Sequence, residues 1–187
     1  MKPVSGGFLR ASRRLGFLLI MSVVLLSHGV SQASSSTSMM PVTCKVMPTI
    51  EASFPESLEF GNVAPTPNLD ESYVISDTKV VKIWSNTEWT LKMKSDAIDG
   101  RMTKWTGDGY SSETLSFPLE WQLNEEGDFT RIMGDDITVV QDQLPTDQYG
   151  TALRLLFRQL ITYNDAPLLD PDTFYRIEVT FTAVQTY

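Results

Sequence analysis

Tyr175-Arg176-Ile177-Glu178-Val179-Thr180-Phe181-Thr182-Ala183 alternates without a break. Tyr175, Ile177, Val179, Phe181 and Ala183 fall on one face, Arg176, Glu178, Thr180 and Thr182 on the other. Successive side chains of an extended chain point to opposite sides, so this period of two predicts a strand with one face in a core and one in water. The preceding Asp170-Pro171-Asp172-Thr173 reads as a turn, its proline pre-setting φ.

Upstream the same pattern recurs. Glu88 to Ser95 puts Trp89, Leu91 and Met93 opposite Thr90, Lys92 and Lys94, and Leu119, Trp121 and Leu123 lie opposite Glu120 and Gln122. Tyr73 to Trp84 is a β-branched stretch with Val80, Val81 and Ile83, stopped by the turn-like Ser85-Asn86-Thr87. Ser57 to Gly61 and Ile137 to Gln141 are shorter β runs, whereas Asp96 to Gly109, rich in Asp and Gly, reads as a loop. Thr151 to Tyr163 is ambiguous. Leu153, Leu156, Phe157, Leu160 and Ile161 fit a helical stripe, with Arg154 and Arg158 outside it. A strand puts Leu153, Leu155, Phe157 and Ile161 on one side but also buries Gln159. Periodicity favours the helix slightly. The all-β context favours the strand, which we expect. Seven or eight short strands with turns between them predict an all-β fold, an antiparallel two-sheet, immunoglobulin-like sandwich.

The first 33 residues read differently. Lys2, Arg10, Arg13 and Arg14 precede an apolar run from Leu15 to Leu26, and Ser31 and Ala33 are small. Basic, apolar and small regions in that order predict a secretory signal cleaved after Ala33. The competing reading is a retained anchor, but the apolar run is short against the roughly 20 residues of a spanning helix. We therefore read residues 1–33 as a signal peptide, 34–45 as a flexible N-terminal segment whose Ser34 to Ser38 form a tether, and 46–187 as the sandwich. The expected location is extracytoplasmic, in a periplasm or at a cell surface, with no stable membrane span after cleavage.

Cleavage removes four of the 15 basic residues and none of the 23 acidic ones, leaving 11 against 23, a net charge of −12. That argues against nucleic acid or anionic lipid as partners, both of which need basic patches. The only histidine, His28, falls in the signal, so a mature chain has none. Ser-His-Asp and Cys-His catalysis and His-ligated metal sites are thereby excluded. Cys44 is the only cysteine, so no intramolecular disulfide forms. It is not preceded by a lipobox, and reads as a buried or idle thiol rather than an interchain link.

Chemistry-bearing groups are few. The pairs Trp89/Leu91 and Trp121/Leu123 could present an aromatic platform to a glycan, yet their alternation with polar residues favours core packing. Asp165, Asp170 and Asp172, or Asp96 and Asp99, carry the hard oxygens that Ca²⁺ takes, in no defined loop spacing, and turn-forming is the simpler role. Glu125/Glu126 and Asp135/Asp136 are adjacent acids, whereas glycoside hydrolysis needs two carboxyl groups across a cleft. Gly107-Asp108-Gly109 is a turn with no helix after it to cradle phosphate. No catalytic residue, metal site or cofactor is expected.

Ser57-Leu58-Glu59-Phe60-Gly61-Asn62-Val63, the Trp89-Thr90-Leu91 strand and the closing Tyr-Arg-Ile-Glu-Val-Thr-Phe strand together resemble secreted bacterial β-sandwiches of the spore-coat-U and pilin-like kind, and also WxL cell-surface domains. In WxL domains the second Trp-x-Leu lies near the C-terminus; here it is Trp121-Gln122-Leu123, mid-chain. The pilin-like resemblance implies subunits joined by strand donation, the WxL resemblance peptidoglycan binding. The expected function is a secreted, non-enzymatic structural or assembly protein of the cell envelope that self-assembles or engages protein partners through its edge strands or N-terminal segment. The alternative is a module that binds envelope polysaccharide or a surface protein, and an enzyme is a distant third. The chain stops after its last strand without a sortase-type signal, so wall attachment by that route is not expected.

Overall fold

The closing run Tyr175–Ala183 forms two strands in line, β11 (Phe174–Arg176) and β12 (Val179–Gln185). The computed structural model describes residues 37–186. The predicted signal peptide, His28 and the first residues of the tether lie outside the described residues. By its internal contacts the chain divides into Met1–Thr43 and Cys44–Tyr187, and all the described strands belong to the second unit.

That second unit is all-β and antiparallel. Its largest sheet runs β1 (Ile50–Ser53), β3 (Lys79–Ser85), β10 (Thr151–Leu160), β7 (Glu120–Leu123) and β8 (Glu126–Arg131), and β2 (Tyr73–Ile75) pairs with the far half of β10. A second sheet is β12, β4 (Trp89–Ser95) and β9 (Ile137–Gln143). A third is β11, β5 (Arg101–Trp105) and β6 (Tyr110–Pro118).

The two smaller sheets make one layer. β4 leads into β5 and β11 into β12, and the break in each strand is bridged by its neighbour, Asp96 N donating to Glu178 O at 3.0 Å. One core lies between this layer and the large sheet. It takes Val81, Ile83, Leu153, Leu155, Phe157 and Trp121 from one side, and Trp89, Leu91, Met93, Met102, Leu115 and Val139 from the other. The all-β sandwich is thus what forms. Among the described residues there are twelve strands rather than seven or eight because long runs are interrupted: β2 and β3 by 76–78, β4 and β5 by 96–100, and β6 from β7 at Leu119, where the chain changes layer.

Three readings need correction. Asp96 to Gly109 is not all loop, since β5 occupies Arg101–Trp105 and buries Met102 between its partners β6 and β11. The Asp and Gly residues flanking that strand masked it. Ser57 to Gly61 is not a strand: it joins no ladder, although Leu58 and Phe60 still pack on the core. The Tyr73 to Trp84 stretch is not one strand: it is interrupted at 76–78, where Ser76 N donates to Phe157 O at 2.8 Å, and resumes along the same partner, β10, as β3. Thr151 to Tyr163, by contrast, is a strand through Leu160, with Leu153, Leu155, Phe157 and Gln159 inward.

Candidate functional site

The backbone of an edge strand is an open template for pairing, so proteins blunt edges with charge, proline, bulges or short length. The edges of this sandwich follow that rule except at one place. β9 is bulged and carries Asp142 at φ 48°, the β5–β6 ladder is irregular, β8 bears Glu126, Asp128 and Arg131, and β1 is four residues long with Glu51 in it. β12 reads Val-Thr-Phe-Thr-Ala-Val-Gln: seven residues without charge or proline, in unbroken register with β4 from Val179↔Ser95 to Gln185↔Trp89. Among the described residues it ladders on that one side only.

Its inward side chains show the same opening. Trp89, Leu91 and Met93 of the neighbouring β4 are 0–1% exposed, whereas Val179, Phe181 and Ala183 are only partly buried because the layer ends there. Phe54, just after β1, covers part of the gap by stacking on Phe181 with centroids 5.6 Å apart and planes 12° from parallel. The rim between β1 and β12 is therefore a seam of half-covered apolar groups.

The segment ahead of β1 joins no sheet. Residues 37–49 form no regular structure and are exposed. Asn86 ties down their end, its Oδ1 accepting from Thr49 N at 2.7 Å and its Nδ2 donating to Met47 O at 2.8 Å. Before that clamp, Met40, Val42, Cys44 and Val46 alternate with Pro41, Thr43 and Lys45. Met40, Val42 and Val46 are 81%, 83% and 78% exposed, an apolar row of strand period. These residues fall in the expected flexible segment 34–45 and the first residue of the expected sandwich, beyond the Ser34 to Ser38 tether, and carry a period of two nonetheless.

The groups singled out from sequence are placed as follows. Trp89 and Leu91 lie in the core and Trp121 beside them, with Leu123 partly buried, so they form no exposed platform. Asp165 accepts from Ser116 N at 2.6 Å and from Thr162 N at 2.7 Å. Burial alone raises the pKa of its carboxyl, but the hydrogen bonds from Thr162 and Ser116 outweigh this and hold it below the ordinary range. Asp170 caps its turn at Asp172 N, Asp99 caps at Arg101 N, and Asp96 accepts from Glu178 N and the Tyr110 hydroxyl. The aspartates therefore serve turns and strand junctions, and among the described residues no three acidic, Cys or His groups gather as a metal site would require. Glu125 sits at φ 61° in the β7–β8 turn and accepts from Thr78, while Asp135 and Asp136 are exposed in a turn. A shallow rim groove brings Glu51 near Asp147, but Asp147 Oδ1 is held by Tyr149 N. Cys44 is a free, exposed thiol, not a buried one. Among the described residues no helix is long and apolar enough to cross a membrane.

No protein-family model matches the chain, and no curated protein matches it.

Proposed function

We propose that this protein is an exported, non-enzymatic structural or assembly component of a cell envelope, whose subunits join by adding a strand at the edge of β12. One observation carries the reading. β12 combines seven regular, uncharged residues with a half-exposed apolar row, while the other edges carry bulges, charges or short length. Backbone pairing at such an edge supplies affinity, and alternate side chains entering the seam supply register. The Met40 to Val46 row has the period to fill it from a second copy. Export rests on the basic, apolar and small regions of residues 1–33, and the non-enzymatic assignment on the absence of histidine after His28 and on carboxylates already engaged in turns.

The test is the solution mass of the chain beginning at Ser34, by light scattering over a concentration series, beside Cys44→Ser and a Thr180→Lys/Thr182→Lys variant. Oligomers that grow with concentration, survive Cys44→Ser and vanish with the lysines are expected. Loss in Cys44→Ser would mean a disulfide dimer. A strict monomer would sink the reading.

A further inference from the structure

Arg158 lies on the face of β10 turned away from the core, and its guanidinium is held from three sides. The rings of Tyr73 on β2 and Phe129 on β8 each stand 4.1 Å from Cζ, and Nε donates to Glu120 Oε2 at 2.7 Å. Its Nη1 and Nη2 donate to no protein group among the described residues, and the side chain keeps 27% of its exposure. A guanidinium that is fixed in place with its terminal donors unclaimed is pre-organised to grip a planar oxyanion with two parallel hydrogen bonds.

The surrounding face is cationic in an acidic chain. Arg131 pairs across from Glu120, Arg154 lies across from Val80 without an ion-pair partner among the described residues, and Lys82 lies across from Ala152 with Nζ 4.9 Å above the Trp84 ring. The strands bring Lys82, Arg131, Arg154 and Arg158 to this face against Glu51 and Glu120, and Asp147 borders it beside Trp84, so the cations still outnumber the acids. Gly150 makes room for Trp84, since a Cβ there would come within 2.8 Å of the indole Nε1. Ile75 and Val80 are exposed between the aromatic groups.

We propose that this outer face binds an acidic polysaccharide, Arg158 reading a sugar carboxylate while Trp84, Tyr73 and their apolar neighbours take the faces of sugar rings. A uronate polymer fits better than a polyphosphate. Its charge is sparse enough for four cations, whereas a dense polyanion meets the chain's overall negative charge. The proposal is independent of strand addition at β12, which lies in the other layer and is read by oligomer mass.

The experiment is titration calorimetry of the full chain with oligogalacturonate, beside neutral dextran oligosaccharide and inorganic polyphosphate. Arg154→Glu and Lys82→Glu are each expected to weaken oligogalacturonate about fivefold, and Arg158→Lys about tenfold by loss of the two-pronged contact, with melting curves showing the variants folded. Lys92→Glu/Lys94→Glu, on the outer face of the other layer, is expected to change it by less than about twofold. No binding of oligogalacturonate, equal binding of dextran, preference for polyphosphate, or an equal loss in the Lys92/Lys94 variant would each overturn the proposal.

Discussion

Asp96 and Glu178 hold each other through two hydrogen bonds that splice two sheets into one layer: Asp96 N donates to Glu178 O at 3.0 Å, and Glu178 N to Asp96 Oδ1 at 2.9 Å. One carboxylate oxygen stands where a strand would offer a carbonyl, which lets β4 depart toward β5 without orphaning its neighbour. The other oxygen accepts the Tyr110 hydroxyl at 3.0 Å. Asp96→Ala is expected to cost about 1–2 kcal/mol in urea unfolding, since it strips a backbone donor of its partner.

The same junction makes a titration prediction. Burial, then the hydrogen bond to Asp96 and the charges of Asp96 and Glu178, push the Tyr110 phenol up to about 12. Its neutral form is the one the fold favours. The associated stability is therefore complete below the ordinary tyrosine value near 10 and lost as pH rises toward 12. Ultraviolet titration is expected to show one tyrosine ionising late, and Asp96→Asn to bring it back toward 10. A late tyrosine that persists in Asp96→Asn would mean that the junction does not control it.

Asp165 makes the opposite prediction. Its charged form is favoured by donors from Ser116 on β6 and from Thr162 just past β10, so its folded pKa lies below its unfolded one. Its stabilisation is present above about pH 4 and is lost as pH falls through the depressed value. Asp165→Asn is expected to lower stability at pH 7 by about 1–2 kcal/mol and to flatten the acid limb of the stability profile. An unchanged acid limb would assign that limb to other carboxylates.

The sandwich was legible where one strand face is apolar and the other polar, as in β4 and β12, because burial on one side writes period two into the sequence. Gln159 shows where that fails. The residue that counted against a strand over Thr151–Tyr163 is 1% exposed on the inner face of β10, its amide donating to Phe117 O at 2.9 Å and Leu160 O at 3.0 Å. The carbonyl it serves is 42 residues away, beyond the reach of any local pattern. Arg158 was visible only as the outer face of a helix or strand. Tyr73 and Phe129, which pin it, come from separate strands, β2 paired directly with β10 and β8 reached through β7, so only the joint register of three ladders brings them to one guanidinium. The open edge of β12 depends likewise on strand order, which alternation does not encode.

Gly100, in the break between β4 and β5, abuts Leu119, where the chain changes layer. It has φ +70°, and a Cβ there would land on the carbonyl oxygen of Ile132, which in turn packs in the core. Gly100 O also accepts from Leu119 N at 2.8 Å, so the residue has little freedom to move away. Gly100→Ala is expected to destabilise by about 2–4 kcal/mol, combining left-handed strain with a clash against backbone. Gly107→Ala shares the positive φ but meets no atom within 4 Å, and is expected to cost about 1 kcal/mol. Equal losses in chemical unfolding would show that backbone conformation, not the close approach, sets the requirement.

The polar core beside Phe157 gives a graded test. Gln159 Oε1 and Trp121 Nε1 are both buried without a partner among the described residues, while Gln159 Nε2 serves two carbonyls. The side chain is thus satisfied at its donor end and not at its acceptor end. Gln159→Leu removes the unpaired acceptor but strands Phe117 O and Leu160 O, so a net loss of about 1–2 kcal/mol is expected. Gln159→Glu keeps the shape, deletes the donors and sets a carboxylate against two carbonyls in the core, so about 3 kcal/mol or more is expected at pH 7, easing in acid as the group takes up a proton. Trp121→Phe removes an unpaired donor along with some apolar area, and is expected to cost less than the loss of a fully bonded tryptophan. Should Gln159→Leu prove as damaging as Gln159→Glu, lost volume and packing would govern the site rather than the two amide hydrogen bonds.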